Sequence, residues 1–223
     1  LNPSYTLEPI TWDTVANIHP FSPPETNSGY RSLIKSTADY LKEITGFNYC
    51  SFQPNSGAMG EYTGLLCIKK FHDVNNTGRN ICLIPKSAHG TNFASAALTN
   101  MKIISFDDSK FEDFDNYVSQ FKDNLACLMI TIPNTSGMYQ ENIEDITSVI
   151  HKYGGLVYMD GANMNALVGK VQPSKIGADI CHLNLHKTFC IPHGGGGPGM
   201  GPILCNDKLG KFLPGNVFQK TGD

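Results

Sequence analysis

Long apolar runs are missing from this chain of 223 residues; none approaches the roughly 20 residues that a membrane-spanning helix needs. A basic excess is missing too. Lys plus Arg number 17 against 20 for Asp plus Glu, so the composition carries no footprint for nucleic acid or an anionic membrane surface. The opening Leu1-Asn2-Pro3 has neither an initiator Met nor the basic and apolar regions of a signal peptide, and the chain is expected to be a fragment or a trimmed piece. No Cys-x-x-Cys pair occurs, and no Gly-Lys-Ser/Thr follows the one glycine run, which excludes the P-loop.

What is present describes an ordinary globular protein. With 40% hydrophobic and 17% charged residues the chain is long enough for one sizeable α/β domain with a buried core. Seven Cys, an odd count, sit mostly in apolar runs such as Ile81-Cys82-Leu83-Ile84 and Ala126-Cys127-Leu128-Met129. There they act as small buried hydrophobes, a usage that suits a reducing compartment, the cytosol or an organelle matrix.

Residues 1–27 are Pro-rich and weakly periodic, with Pro20, Pro23 and Pro24 breaking regular structure, and read as an extended arm. Residues 28–223 form the domain. A helix is expected from a cap at Ser28 to about Thr45, with Leu33, Ile34, Thr37, Leu41 and Ile44 on one stripe and Gly46 as its stop. Beyond it, strand-like runs at Ile81–Ile84, Lys102–Phe106, Ala126–Ile132, Leu156–Met159 and Ile180–Leu185 alternate with helical patterns. Those helices are expected at Ala58–Phe71, Asn92–Thr99, Phe111–Phe121 and Ile143–Tyr153, and a short strand at Pro202–Cys205. Strands apolar on both faces, alternating with helices, predict a mostly parallel sheet covered by helices. Ligands of such sheets sit at the carboxyl ends of the strands. The polar clusters fall there: Ser87 to Asn92, Pro133 to Gly137, Asp160 to Asn163, and His186 with Lys187.

Each cluster admits a bland reading and a chemical one. Lys187 ends an apolar strand and either just reaches solvent or, partly desolvated, has its amine freed for Schiff-base chemistry. Asp160 either caps the next helix or pairs with a protonated ring nitrogen. Ser56-Gly57-Ala58 is either a plain helix cap or an anion site of exposed N–H groups. His89 is either structural or a ring-stacking and proton-moving group. In His193-Gly194-Gly195-Gly196-Gly197-Pro198-Gly199 the glycines predict a loop with positive φ. Cys181, His182, His186, Cys190 and His193 crowd one stretch. Their spacing fits no zinc pattern, and strand alternation sends Cys181 and His182 to opposite faces, so no metal is expected.

Three long segments carry a resemblance. Gln53-Pro54-Asn55-Ser56-Gly57-Ala58, Leu83-Ile84-Pro85-Lys86-Ser87-Ala88-His89-Gly90-Thr91-Asn92 and Asp160-Gly161-Ala162-Asn163-Met164-Asn165-Ala166 resemble the glycine decarboxylase P-protein family of the glycine cleavage system. So does the run from His182 to Gly201, and the similarity reaches into the arm at His19-Pro20-Phe21. The resemblance implies the large domain of the fold-type I, aspartate-aminotransferase-like enzymes and pyridoxal 5'-phosphate as cofactor. It implies Lys187 as the cofactor-anchoring lysine, Asp160 as partner of the pyridinium nitrogen, and His89 as the group stacked on the ring. Ser56, Gly57 and Ala58 match the phosphate-binding turn, His186 and Ala162 lie beside the cofactor, and Thr135 falls in the loop that meets the phenolic oxygen.

The implied reaction is glycine decarboxylation with transfer of the aminomethyl group to the lipoyl arm of H-protein, with Lys187 or His89 handling protons. Implied partners are glycine, lipoylated H-protein and a second half or partner P-protein subunit in a dimer. A C-terminal small domain is also implied, outside these residues. The location would be cytoplasmic in a bacterium or the mitochondrial matrix in a eukaryote. Other fold-type I enzymes, such as a cysteine desulfurase or an amino-acid decarboxylase, remain as alternatives, as does a cofactor-free scaffold subunit. Against the desulfurase, neither Cys190 nor Cys205 stands in an evident exposed loop with an activating cation. Against the scaffold, Lys187, Asp160 and Ser56 are all present.

Overall fold

A computed structural model of the chain describes residues 7–19, 21–108 and 113–215. Its strands are β1 (Tyr49–Ser51), β2 (Ile81–Pro85), β3 (Lys102–Phe106), β4 (Leu125–Thr131), β5 (Leu156–Gly161), β6 (Ile180–Leu183) and β7 (Ile203–Cys205). Its α-helices are α1 (Asp13–Ala16), α2 (Ser28–Thr45), α3 (Gly57–Val74), α4 (Gly90–Leu98), α5 (Phe114–Ser119), α6 (Ile143–Lys152) and α7 (Leu185–Thr188). The strands form one sheet in the order β1-β7-β6-β5-β4-β2-β3. β3, β2, β4, β5 and β6 run parallel, while β7 is antiparallel to both β6 and β1. This is the mostly parallel, helix-covered sheet that the sequence predicts.

Alternation along each central strand divides the apolar residues between two cores. Leu83, Leu128, Ile130, Val157, Met159 and Cys181 pack under α5 and α6, against Phe114, Val118, Ile143, Ile146 and Ile150. Cys82, Ile84, Cys127, Met129, Tyr158 and Ile180 pack under α3 and α4, against Leu65, Ile68 and Ala96. Each of these side chains is removed from water on a sheet covered on both faces, and full burial of one stabilises by about 1.5–3 kcal/mol. Between β5 and β6 the register is pinned by a buried carboxylate. Asp179 accepts from the Val157 N–H at 2.8 Å and the Asn206 amide at 2.7 Å, and meets His151 Nε2 at 2.7 Å.

Several boundaries differ from expectation. The N-terminal segment is not extended: it turns through 3₁₀ helices at Glu8–Thr11 and Pro24–Asn27 and the single turn of α1. Pro20 lies outside the described residues. Helix α2 covers the expected span and stops at Gly46 with φ 75°, but Asn27, not Ser28, is its cap residue. Only Leu41 and Thr45 of α2 are buried, so its expected stripe leaves Leu33 and Ile34 exposed. The expected helix from Phe111 is α5, whose described residues start at Phe114; Phe111 itself lies outside the described residues. Strand β1 was not expected, because a three-residue edge strand is too short to show a period. The last parallel strand ends at Leu183, and Leu185 opens α7. Among the described residues no helix is long and apolar enough to cross a membrane.

None of the seven cysteines is disulfide-bonded, and five of them are buried. Burial pushes the Cys67 thiol up to about 12 and holds Cys181 and Cys205 high as well. Cys190, by contrast, is exposed, where the sequence showed no exposed context for it. Alkylation of the native protein near pH 8 is therefore expected to label Cys190 first. The five buried thiols should react only after denaturation, and peptide mapping by mass spectrometry checks this.

Candidate active site

The strand order reverses between β2 and β4, which places a crevice at the carboxyl ends of the strands. Loops from four strands meet there. After β2 the chain passes Ser87 and reaches His89, the cap residue of α4, whose Nδ1 accepts from the Thr91 N–H at 3.2 Å. After β4 comes Thr135, whose hydroxyl donates to the Ser87 carbonyl at 2.8 Å and ties that loop to the His89 loop. Asp160 lies at the end of β5, and α7 carries His186 and Lys187 just past β6.

Ser56 is a helix cap: its hydroxyl accepts from the Met59 N–H at 3.2 Å. With Gly60 N–H bound to the Ser56 carbonyl, the first-turn N–H groups of Gly57 and Ala58 are directed out of the helix end, where a helix favours an anion. The turn is seated without space to spare. A Cβ on Gly57 would come within 2.5 Å of Asn184 Oδ1, and one on Gly201 within 2.0 Å of the Ser56 carbonyl oxygen. Gly201→Ala must displace backbone, so it is expected to weaken phosphate-ester binding at this turn by about ten-fold or more, with a stability loss of about 1–3 kcal/mol. Isothermal titration with thermal unfolding measures both.

Asp160 is buried at 2% exposure. Its Oδ2 accepts from the Asn92 amide at 3.0 Å and its Oδ1 from the Ala162 N–H at 2.9 Å, with His182 Nε2 at 3.4 Å. Burial pushes this carboxyl up, but the His182 ring, the two hydrogen bonds and the Lys187 charge more than offset it and hold the group below its ordinary value. An ionised carboxylate in a dry site calls for a cationic partner. The Ala162 bond is a local turn only: the next helix, the 3₁₀ turn Met164–Ala166, has Asn163 as its cap residue, so Asp160 does not cap it as the bland reading expects.

Lys187 is not at a strand end as expected. It sits on the four-residue helix α7 and is exposed, in keeping with the reading that it reaches solvent. Among the described residues it forms no ion pair closer than 4 Å. Beside it, Asn184 Oδ1 and Thr188 Oγ1 are buried and, among the described residues, have no hydrogen-bond partner. His186 stacks on His193 at 4.9 Å, and burial, with the neighbouring His193 and Lys187 charges, holds it below its usual range. Gly194 to Gly197 all take positive φ, as the glycine run predicts.

The sequence reading passed over the residues behind this surface. Tyr158 and His182 are buried and paired, the Tyr158 hydroxyl lying 2.7 Å from His182 Nδ1. Glu61 on α3 is buried and accepts from the hydroxyls of Thr91 at 2.9 Å and Ser95 at 3.0 Å. Glu61, Asp160 and His182 bring ligand-type atoms within 4.8 Å of one another. One signal was readable: Tyr158 stands two residues from Asp160 on a strand and so shares its face. The pairing of β5 with β6, which puts His182 opposite Asp160, was not.

The model for the family "Glycine cleavage system P-protein" matches residues 56–223. Curated relatives named glycine dehydrogenase (decarboxylating) include one from Pelagibacter ubique, 52% identical over 220 residues and matched across 96% of this chain. One from Escherichia coli O139:H28 is 51% identical over 229 residues and matched across 100% of it. The chain spans 23% and 24% of the lengths of those two relatives, about a quarter. A crystal structure of glycine decarboxylase (P-protein) in inhibitor-bound form shares the fold with a TM-score of 0.75 at 16% identity, over 99% of this chain and 50% of that one. A rice TDC structure with PLP and tryptamine shares it at 0.72 and 10% identity, over 95% and 51%. The fold is thus that of fold-type I pyridoxal-phosphate enzymes, and by the family match over most of its length the chain belongs to the glycine cleavage system P-protein family.

Proposed function

We propose that this chain is the cofactor-binding part of a glycine decarboxylase, which splits glycine with the help of pyridoxal phosphate and passes the aminomethyl group to the lipoyl arm of H-protein. The observation that carries the reading is Asp160: a buried carboxylate at a strand end, held below its ordinary value by the His182 ring, two hydrogen bonds and the Lys187 charge. The residues present fit the cofactor. Asp160 suits a pyridinium nitrogen, the outward N–H groups of Gly57 and Ala58 suit a phosphate, and the orphaned Asn184 Oδ1 lies against Gly57 of that turn. Pyridoxal phosphate, when bound, supplies an electron-poor ring that takes up the electron pair left as the glycine carboxylate departs as carbon dioxide.

This chain's residues do the rest. Lys187 Nζ would hold the cofactor, and its amine when free is a group able to move a proton. His89 has Nδ1 committed to the Thr91 N–H, so Nε2 is the ring atom left for stacking contacts or proton transfer. Thr135, His186 and Ala162 border the same crevice. H-protein and a second half or partner subunit complete the reading. The exposed apolar residues Leu33, Ile34 and Tyr40 of α2 support that further protein. The reading also carries a reducing compartment, the bacterial cytoplasm or the mitochondrial matrix, supported by seven cysteines without a disulfide.

The test is made on the full-length protein. Pyridoxal phosphate should raise a visible absorption band, and glycine with lipoylated H-protein should drive exchange of labelled bicarbonate into the glycine carboxyl. A band without exchange would favour another fold-type I enzyme. No band would overturn the reading.

A further inference from the structure

Behind Asp160 stand two residues with no step assigned to them in the reading above, Tyr158 and His182, which form a chain with it. Tyr158, Asp160 and His182 share one face of the sheet, and Asp160 pairs with His182 in the β5–β6 register. Tyr158 and His182 are 0% and 1% exposed. Nε2 of His182 lies 3.4 Å from Asp160 Oδ1, a charge contact rather than an aligned hydrogen bond, and the tautomer that presents a proton to the carboxylate carries it on that nitrogen. Nδ1 is then the acceptor, and the Tyr158 hydroxyl donates to it at 2.7 Å. Every proton in the chain therefore points toward the carboxylate: phenol to imidazole, imidazole to Asp160.

The helix above is shaped to admit these rings. On α3, a Cβ at Gly60 would come within 2.8 Å of His182 Cβ, and one at Gly64 within 2.4 Å of Tyr158 Cε2. Two glycines one turn apart let the helix backbone lie directly on the two side chains and fix their rotamers. The other charged groups near Asp160 are Glu61 from α3 and Lys187 from α7. Glu61 is turned to the hydroxyls of Thr91 and Ser95, so His182 is the group that supplies a ring N–H to the carboxylate.

We propose that Tyr158 and His182 are positioning residues: they hold Asp160 as a carboxylate aimed at the cofactor ring nitrogen and so keep that nitrogen protonated. The proposal rests on the reading of the crevice as a pyridoxal-phosphate site. It makes Tyr158 set the His182 tautomer, and makes the Nε2–H, not the bulk of the ring, the feature that counts. A donor at that place is sufficient, so Gln at position 182, whose amide N–H reaches as Nε2 does, should serve where Leu does not.

The experiment uses full-length enzyme loaded with pyridoxal phosphate carrying ¹⁵N in the ring. The ¹⁵N shift and the absorbance are followed against pH for wild type, His182→Leu, His182→Gln and Tyr158→Phe. Wild type and His182→Gln should keep the pyridinium shift into alkaline pH. In His182→Leu the midpoint for loss of the ring proton should fall by about one pH unit, the size of a lost contact between the ring and the carboxylate. Tyr158→Phe should fall between them. A bound cofactor whose midpoint is the same in wild type, His182→Leu and Tyr158→Phe overturns the relay alone, whereas a wild type that binds no cofactor overturns the reading of the site with it. Should His182→Leu fail to fold, Tyr158→Phe against wild type decides, because it removes one oxygen and no carbon from the core.

Discussion

Replacing Lys187 with alanine in the full-length protein is expected to abolish covalent cofactor attachment and to slow glycine–bicarbonate exchange by about 10³-fold or more. On the proposed reading the amine both anchors the cofactor and moves a proton, and a positioned acid–base group alone contributes about 10²–10⁴-fold. The fold should not notice. Lys187 is exposed and forms no ion pair among the described residues, so stability should change by no more than about 0.5 kcal/mol. Borohydride reduction followed by intact-mass measurement separates the two effects: wild type retains the mass of one cofactor, and the variant retains none while its melting temperature stays put. A variant that still carries the cofactor mass would show that another amine is the anchor.

Asp160→Asn should cost both function and stability. A unit charge about 4 Å from a pyridinium, at an effective dielectric of about 20, is worth roughly 4 kcal/mol, or on the order of 10³-fold in cofactor-dependent rate. Asparagine keeps the shape but cannot accept from both Asn92 and Ala162, and each buried donor left without an acceptor costs about 1–3 kcal/mol. The pH dependence has a definite sign. The folded state holds this carboxyl below its ordinary value, so its contribution is complete above the ordinary carboxylate range and is lost as pH falls through the lowered folded value. Thermal unfolding of wild type and Asp160→Asn across the acid range should therefore show a gap that closes toward low pH. A gap independent of pH would assign the loss to packing alone.

Much of the fold was legible because its strands are apolar on both faces. Ile81 to Pro85, Leu125 to Thr131 and Leu156 to Gly161 are buried without interruption, and such runs between helical patterns specify a covered parallel sheet. The same pattern put the polar clusters at the strand ends. It failed at Leu185, where apolar character continues but the backbone turns into α7; a four-residue helix has no period to betray it. That failure moved Lys187 from the expected strand end to an exposed helical turn.

The sequence by itself determined the fold class, the family and the residue types gathered at the carboxyl edge, because each depends on local runs and short motifs. Only the tertiary structure decided what stands behind them. His182 reads as part of a Cys-His cluster along the chain, yet strand pairing sets it opposite Asp160, and α3 closes over it through Gly60 and Gly64. Hydrogen bonds between strands and the approach of a helix to a sheet join residues some twenty to a hundred positions apart. No local pattern records such a join, so the ionised state of Asp160 was set by contacts that exist only once the chain has folded.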